Sequence, residues 1–284
     1  MVILITLNFL TFVAAYSETS VVDSGCCATG LLAKDFSAFY VGAWRLLHNP
    51  SNIYTPGAVN DGGPAITPRP ESYKYLPSFL LVIVPFLALS YHDALLAFDA
   101  IQLLLLPLVA YLTYRLVRNK GTAVTLIVAT VVLLQPSPIP HWGLSASYYW
   151  QWAEGQSKVL ETFFLVSSFY AGTRGRPYLS GAALGMAAFD PRFTLISLPL
   201  FWFYNRGNLR RASLSFVGVF LASNFALLLP GVGSGFATMI GSSGASTPLF
   251  YYAYIPLLTV IALTIVNARD MARLMREGRL PRAG

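Results

Sequence analysis

Charge is what this 284-residue chain has least of: Asp, Glu, Lys and Arg together make up 11% of it. An ordinary soluble domain carries about a quarter charged residues, and a soluble chain this poor in charge would expose broad apolar patches and aggregate. Cysteine is nearly absent, confined to the adjacent pair Cys26 and Cys27. Neighbouring cysteines close only a strained ring, and no CxxC or Cys/His metal spacing occurs. A disulfide scaffold, thiol chemistry and a zinc site are set aside accordingly. The three histidines, His48, His92 and His141, are scattered and suggest no metal. No cofactor is implied. No convincing internal repeat is present, which counts against a transporter built from repeated halves.

Hydrophobicity is what remains. Hydrophobic residues are 55% of the chain and the mean hydropathy is +0.58. Apolar runs near bilayer-crossing length recur along it. The expected fold is all-α: a polytopic transmembrane helical bundle of roughly seven to nine membrane helices, forming one integral membrane domain over residues 1–284. The formal net charge of +7 does not point to nucleic acid. Five arginines (Arg269, Arg273, Arg276, Arg279 and Arg282) follow the last apolar run. Others sit in short loops, as Arg115, Arg118 and Lys120, Arg174 and Arg176, and Arg206, Arg210 and Arg211. Basic clusters at span ends follow the positive-inside rule, making 268–284 a cytoplasmic tail and the lipid bilayer the partner of the charge.

Residues 2–16 read as a retained first span, since they lack the basic segment of a signal peptide. The stretch 17–75 is the one sizeable hydrophilic segment, and a loop that long is usually functional. Within it, DFSAFYVGAWRLLH (35–48) spaces Phe36, Phe39, Tyr40, Ala43, Trp44 and Leu47 three or four apart, with Arg45 and His48 off the stripe. That pattern predicts an amphipathic helix lying in the membrane interface. Later apolar segments fall at about 76–90, 94–117, 122–135, 157–173, 178–204, 212–230 and 249–267. Asp190-Pro191-Arg192 divides 178–204 into two half-length helices, a re-entrant hairpin tolerated only where protein or water covers the freed backbone. The segment 76–90, with Pro77 and Pro85, is a second partial crossing. The aromatic stretch 136–156 fits an interfacial belt or a stacking surface for sugar or isoprenoid.

Asp35 is the strongest catalytic candidate. Unpaired N–H groups and the helix dipole hold a carboxylate ionised at a helix start, with Lys34 acting the same way. At a membrane surface it can serve as general base toward a hydroxyl; the plainer role is helix capping. In ESYKYLPS (71–78), Lys74 lies between Tyr73 and Tyr75 and can pair with a phosphate, or snorkel between aromatic anchors. Glu154, Gln156 and Lys158 lead into an apolar helix, where polar groups face a cavity or a partner. Asp190 and Arg192 are expected to pair with each other. Asp99, Gln102 and Glu161 are further intramembrane polar residues whose spacing fits no motif.

KDFSAFYVGAWRLLHNPSNIYTP (34–56), then YKYLPSFLLVIVPFLAL (73–89), resembles the pattern D-[FY]-x-x-[FY]-[YF]-x-A-x-x-[LI]-L-x-G-x-x-x-Y followed by F-x-Y-P-P-x-x-x-x-x-x-x-P-L-A-L. This is the pattern of polyprenyl-phosphate-dependent glycosyltransferases of the GT-C superfamily, most nearly family 87. GQSKVLETFFLV (155–166) is similar to that family's G-Q-x-N segment. SGAALGMAAFDPRFTLISLPLF (180–201) is similar to its A-G-x-x-x-G-x-A-x-x-x-K-x-x-P stretch. The chain departs from these patterns at Asn49 (often Gly), Leu76 (the first Pro of the pair), Lys158 (commonly Asn) and Asp190 (about the place of a lysine). It is also shorter than most relatives, as a reduced form or a fragment would be.

The resemblance implies a GT-C bundle in the cell membrane that transfers a hexose, often mannose, with inversion and without metal. The donor would be a polyprenyl-phosphate sugar, the acceptor hydroxyl that of a glycolipid or glycan, and the active site would face the extracytoplasmic side. Asp35 would be the base, and Lys74 or Arg69 would stabilise the phosphate leaving group. Lys34, Tyr40, Tyr73 and Tyr75 would contact substrate from the same loop. His141, Glu154, Gln156, Lys158 and Arg192 would do so from later segments. A transporter or flippase of an anionic or lipid-linked solute, or a non-catalytic membrane subunit, is the alternative.

Overall fold

The computed structural model describes residues 34–55, 64, 73–117, 121, 155–242 and 254–276. These form α1 (Lys34–His48), α2 (Ser78–Ile83), α3 (Tyr91–Leu116), α4 (Lys158–Thr173), α5 (Pro177–Ala187), α6 (Pro191–Tyr204), α7 (Leu209–Ser223), α8 (Val232–Ser242) and α9 (Tyr254–Arg276), with short 3₁₀ turns at Pro50–Asn52, Val84–Ala88 and Phe225–Leu228. No strand occurs among the described residues. They divide into two compact units. The first draws on residues within 34–104, 155–157 and 223–242, the second on 105–117, 158–222 and 254–276.

Local chemistry sets the helix limits. α1 carries Asp35 in its first turn and Arg45 and His48 in its last, the charge order that complements the helix dipole. Asn49-Pro50 then ends it, because a residue before proline is pushed out of the α region. Ser90 and Asp93 cap α3 reciprocally: the Asp93 N–H donates to Ser90 Oγ at 3.2 Å, and Ser90 Oγ donates to Asp93 Oδ2 at 2.6 Å. α3 is 26 residues long, about 39 Å at 1.5 Å per residue. It is the one helix among the described residues long and apolar enough to cross a bilayer. Ile101, Leu104, Leu108 and Tyr111 are exposed along it.

In the first unit, α1 packs on α2 through an aromatic cluster in which Phe39 meets Phe79 edge-on at 4.7 Å and Phe36 meets Phe98 of α3 at 5.2 Å. The helix forms where the periodicity predicts, and protein covers most of it. Residues 36–43 are all buried, whichever face they occupy. Leu47, on the expected apolar stripe, is 56% exposed. Arg45, expected off the stripe, is buried and donates to the Thr55 carbonyl at 3.0 Å. The chain returning through 50–55 covers that flank, which a one-helix pattern cannot anticipate.

The segment 76–90 is a six-residue helix and a 3₁₀ turn, as short as its prolines suggest. Asn224 anchors it by accepting from the Ser78 N–H at 3.1 Å. No helix was expected over 232–242, where glycine depresses helix propensity. α8 forms there against tertiary partners: Phe236 packs on Tyr54 at 5.4 Å, and Val232 is fully buried.

In the second unit, Leu165, Val166 and Phe169 of α4, Leu184 and Ala187 of α5, Leu200 and Phe201 of α6, and Val260 and Leu263 of α9 share one apolar core. Residues 178–204 divide at Asp190-Pro191-Arg192 as expected. Asn205, just past α6, donates to Ser180 Oγ in the first turn of α5 at 2.8 Å. The two half-length helices are thus a hairpin whose outer ends meet. Gly181 and Gly185 let α5 approach α7 closely: a Cβ on Gly181 would run into the Ala212 carbonyl, and one on Gly185 would lie 2.9 Å from Val219. α9 continues to Arg276, so part of the expected basic tail is helical.

Candidate functional site

In the first unit, Asp35 is the second residue of α1 and is half-buried. The neighbouring Phe36 is fixed between Tyr91 and Phe98 of α3, with ring centroids 5.7 and 5.2 Å away. Lys74 is exposed, and the tyrosines on either side of it pack on α1. Tyr73 and Tyr75 lie 6.4 and 5.5 Å from Phe39. The segment with Lys74 and the helix with Asp35 are therefore parts of one aromatic assembly, although nearly forty residues separate them in the chain.

Three tyrosine hydroxyls of this assembly are committed to backbone. Tyr73 is buried and donates to the Leu76 carbonyl at 2.7 Å. Burial, reinforced by Tyr54 and Tyr75, pushes its phenol well above the ordinary value, so it stays a neutral donor. Tyr40 donates to the Leu89 carbonyl at 2.8 Å, and Tyr54 to the Tyr75 carbonyl at 3.0 Å. Gln156 is buried in the same unit, where its carbonyl accepts from Gln102 Nε2 at 2.7 Å. Lys34 opens α1. Arg69, His141 and Glu154, along with the segments at 2–16 and 122–135, lie outside the described residues.

The second unit holds a buried charge cluster. Lys158 Nζ lies 3.0 Å from Asp190 Oδ2 and 3.2 Å from Glu161 Oε2, and 5.0 Å from the Phe193 ring centroid. Arg192 grips Asp190 with two bonds, Nε to Oδ1 at 2.8 Å and Nη2 to Oδ2 at 2.6 Å. Asp190 and Arg192 are partners as expected, with Lys158 added. Such bidentate pairing fixes orientation as well as charge. Asp190 also caps α6 by accepting from the Arg192 N–H, ahead of a proline at the first helical position. The two departures from the resembled pattern, Lys158 and Asp190, thus bond to each other across 32 residues. A lysine at 158 brings a charge where asparagine is common, and an aspartate at 190 answers it.

Sequence spacing gave Glu161 no partner, yet it stands one turn from Lys158, as an i, i+3 pair should. Asp99 and Gln102 carried the same kind of signal: two polar residues on one face of an apolar helix. Among the described residues no group of His, Cys, Asp and Glu is arranged to hold a metal ion.

The model of glycosyltransferase family 87 matches residues 73–254, well over half of the chain. The chain belongs to glycosyltransferase family 87. No curated protein and no solved structure matches it. Membership decides between the classes that the residues left open, since this is a family of GT-C-type glycosyltransferases rather than transporters. The family 87 match begins at Tyr73 and takes in α2 through α8, including Gln156 and the Lys158–Asp190 pair. Asp35 and the rest of α1 stand before it.

Proposed function

We propose that this family 87 glycosyltransferase is a multi-pass membrane enzyme that moves a hexose, mannose by preference, from a polyprenyl-phosphate donor to an acceptor hydroxyl with inversion. Asp35 acts as general base: it takes the acceptor proton while the acceptor oxygen attacks the anomeric carbon and the C–O bond to phosphate breaks. Lys74 neutralises the charge that gathers on the departing phosphate, an electrostatic task requiring no proton transfer. The observation that carries this reading is the joining of α1 and the 73–75 segment through Phe39, which seats an acid and an exposed cation in one assembly. The apolar exterior of α3 supports the membrane setting, because a donor with an isoprenoid tail has to be met within the bilayer. The basic loops support an orientation with the acceptor side outward.

The test is incubation of lipid-reconstituted protein with labelled polyprenyl-phosphate hexoses and a membrane lipid extract, followed by product analysis. Asp35→Asn is expected to lower kcat by about 10²- to 10⁴-fold, the usual worth of a positioned base, with the fold intact. Full transfer by that variant removes Asp35 as base. Transfer from nucleotide sugars, and from none of the lipid phosphates, overturns the donor class.

A further inference from the structure

We propose that Asp99, together with Ser157 and the 155–157 loop, forms the subsite that grips hydroxyl groups of the transferred sugar, a reading that rests on the lipid-phosphate hexose donor proposed above. Asp99 is 1% exposed, and its Oδ1 has no hydrogen-bond partner. Ser157 is fully buried, and its Oγ is likewise without one. Buried polar atoms are almost always paired; Ser78 Oγ is a third unpartnered atom in this unit, and what singles out Asp99 and Ser157 is that the chain brings them to one place.

Their common location follows from helix geometry. Leu95, Asp99 and Gln102 succeed one another at i, i+4 and i+7, which puts them along one face of α3. The 155–157 loop touches that face on both sides of Asp99. A Cβ on Gly155 would lie 2.9 Å from Leu95 Cδ1, and the Gln156 carbonyl accepts from Gln102 at 2.7 Å. Asp99 therefore lies beneath the loop that Ser157 ends. The same loop is pressed against α1: Gly155 takes φ +63°, and its Cβ would come within 2.6 Å of Phe36 Cβ. Phe36 follows Asp35 and rests on Phe98, the neighbour of Asp99. The loop that ends in Ser157 is thus packed on the first turn of α1, the helix that carries the proposed base.

Chemistry selects the occupant. A carboxyl group can exchange hydrogen bonds with a hydroxyl in either protonation state, and it offers a phosphate no positive charge. A sugar hydroxyl can bond to the unpartnered Oδ1 of Asp99, while Ser157 can donate to or accept from a second hydroxyl. Adjacent hydroxyls on a hexose ring meet both needs, and the phosphate falls to the cation outside.

The experiment compares wild type, Asp99→Asn and Ser157→Ala, purified in nanodiscs, by thermal stabilisation and by donor kinetics. The probes are a polyprenyl-phosphate hexose, its monodeoxy analogues, and polyprenyl phosphate without sugar. Wild type is expected to be stabilised more by the glycosylated lipid than by the bare one. Asp99→Asn should keep the response to bare lipid phosphate, lose the extra response to sugar, and raise donor KM by about 10- to 100-fold, the cost of leaving a buried polar group without its hydrogen bond. One deoxy analogue should cancel that difference between variant and wild type. A donor KM within twofold of wild type, with equal sensitivity to every deoxy analogue, overturns the proposal. Should Asp99→Asn not fold, Ser157→Ala decides: it removes only an unpartnered hydroxyl, and several-fold weaker donor binding supports the subsite while unchanged binding overturns it. Equal stabilisation of wild type by both lipids overturns the subsite and leaves the donor class standing. No response to either lipid overturns the donor class, and the subsite with it.

Discussion

Lys158→Met is the most discriminating perturbation of the second unit. The side chain of Lys158 is 4% exposed, and its amino group is shared by Asp190 at 3.0 Å and Glu161 at 3.2 Å. On its removal Asp190 retains Arg192, 2.6 Å away. Glu161 does worse, because its Oε1 already has no hydrogen-bond partner and its Oε2 loses the lysine. Deleting one member of a buried ion pair costs about 3–5 kcal/mol, whereas deleting both charges together is often close to neutral. Lys158→Met is therefore expected to lose about 3–5 kcal/mol in a denaturant titration of purified protein. Adding Glu161→Gln should recover at least about 2 kcal/mol of that loss, since contacting residues couple on this scale. A Lys158→Met variant within about 0.5 kcal/mol of wild type, as expected of a surface pair, refutes the cluster. Donor binding then separates structure from recognition: a lysine serving only the cluster leaves donor affinity normal in the stabilised double variant, and one serving the donor does not.

Gly181→Ala should destabilise by about 1–3 kcal/mol through overpacking, since its Cβ meets the Ala212 carbonyl. Gly218→Ala, with open space around it, should stay within about 0.5 kcal/mol of wild type; equal effects in a thermal melt would refute the close α5–α7 approach. Lys74→Ala should weaken donor binding while shifting stability by less than about 0.5 kcal/mol, and unchanged donor affinity in a titration would leave Lys74 an anchor. With Cys26 and Cys27 replaced by serine, a cysteine at the open position Gly207 should react with a membrane-impermeant maleimide only after cells are permeabilised. Labelling of intact cells would refute an inward-facing arginine end.

Individual residues show how much of the fold is legible in the order of amino acids. Asp190-Pro191-Arg192 announced a break, because proline and a capping carboxylate act within a few residues, and the chain does turn there. The 3–4 spacing over 35–48 announced a helix for the same local reason. Gly181 and Gly185 stand four apart in the sequence, but nothing there says that α7 is what they admit. α8 was invisible, since its glycines argue against a helix and a contact that holds it, Phe236 on Tyr54, comes from almost two hundred residues away.

Composition and order along the chain determined the all-helical class, the apolar exterior of α3 and the family, since each depends on neighbours in sequence or on residue type alone. Tertiary structure decided which polar groups were to be partners. Lys158 reaches Asp190, Ser78 reaches Asn224, and Asp99 is left beneath a loop that begins more than fifty residues later. Hydrogen bonds and ion pairs act over about 3 Å, and separation along the chain says nothing about which groups folding brings that close.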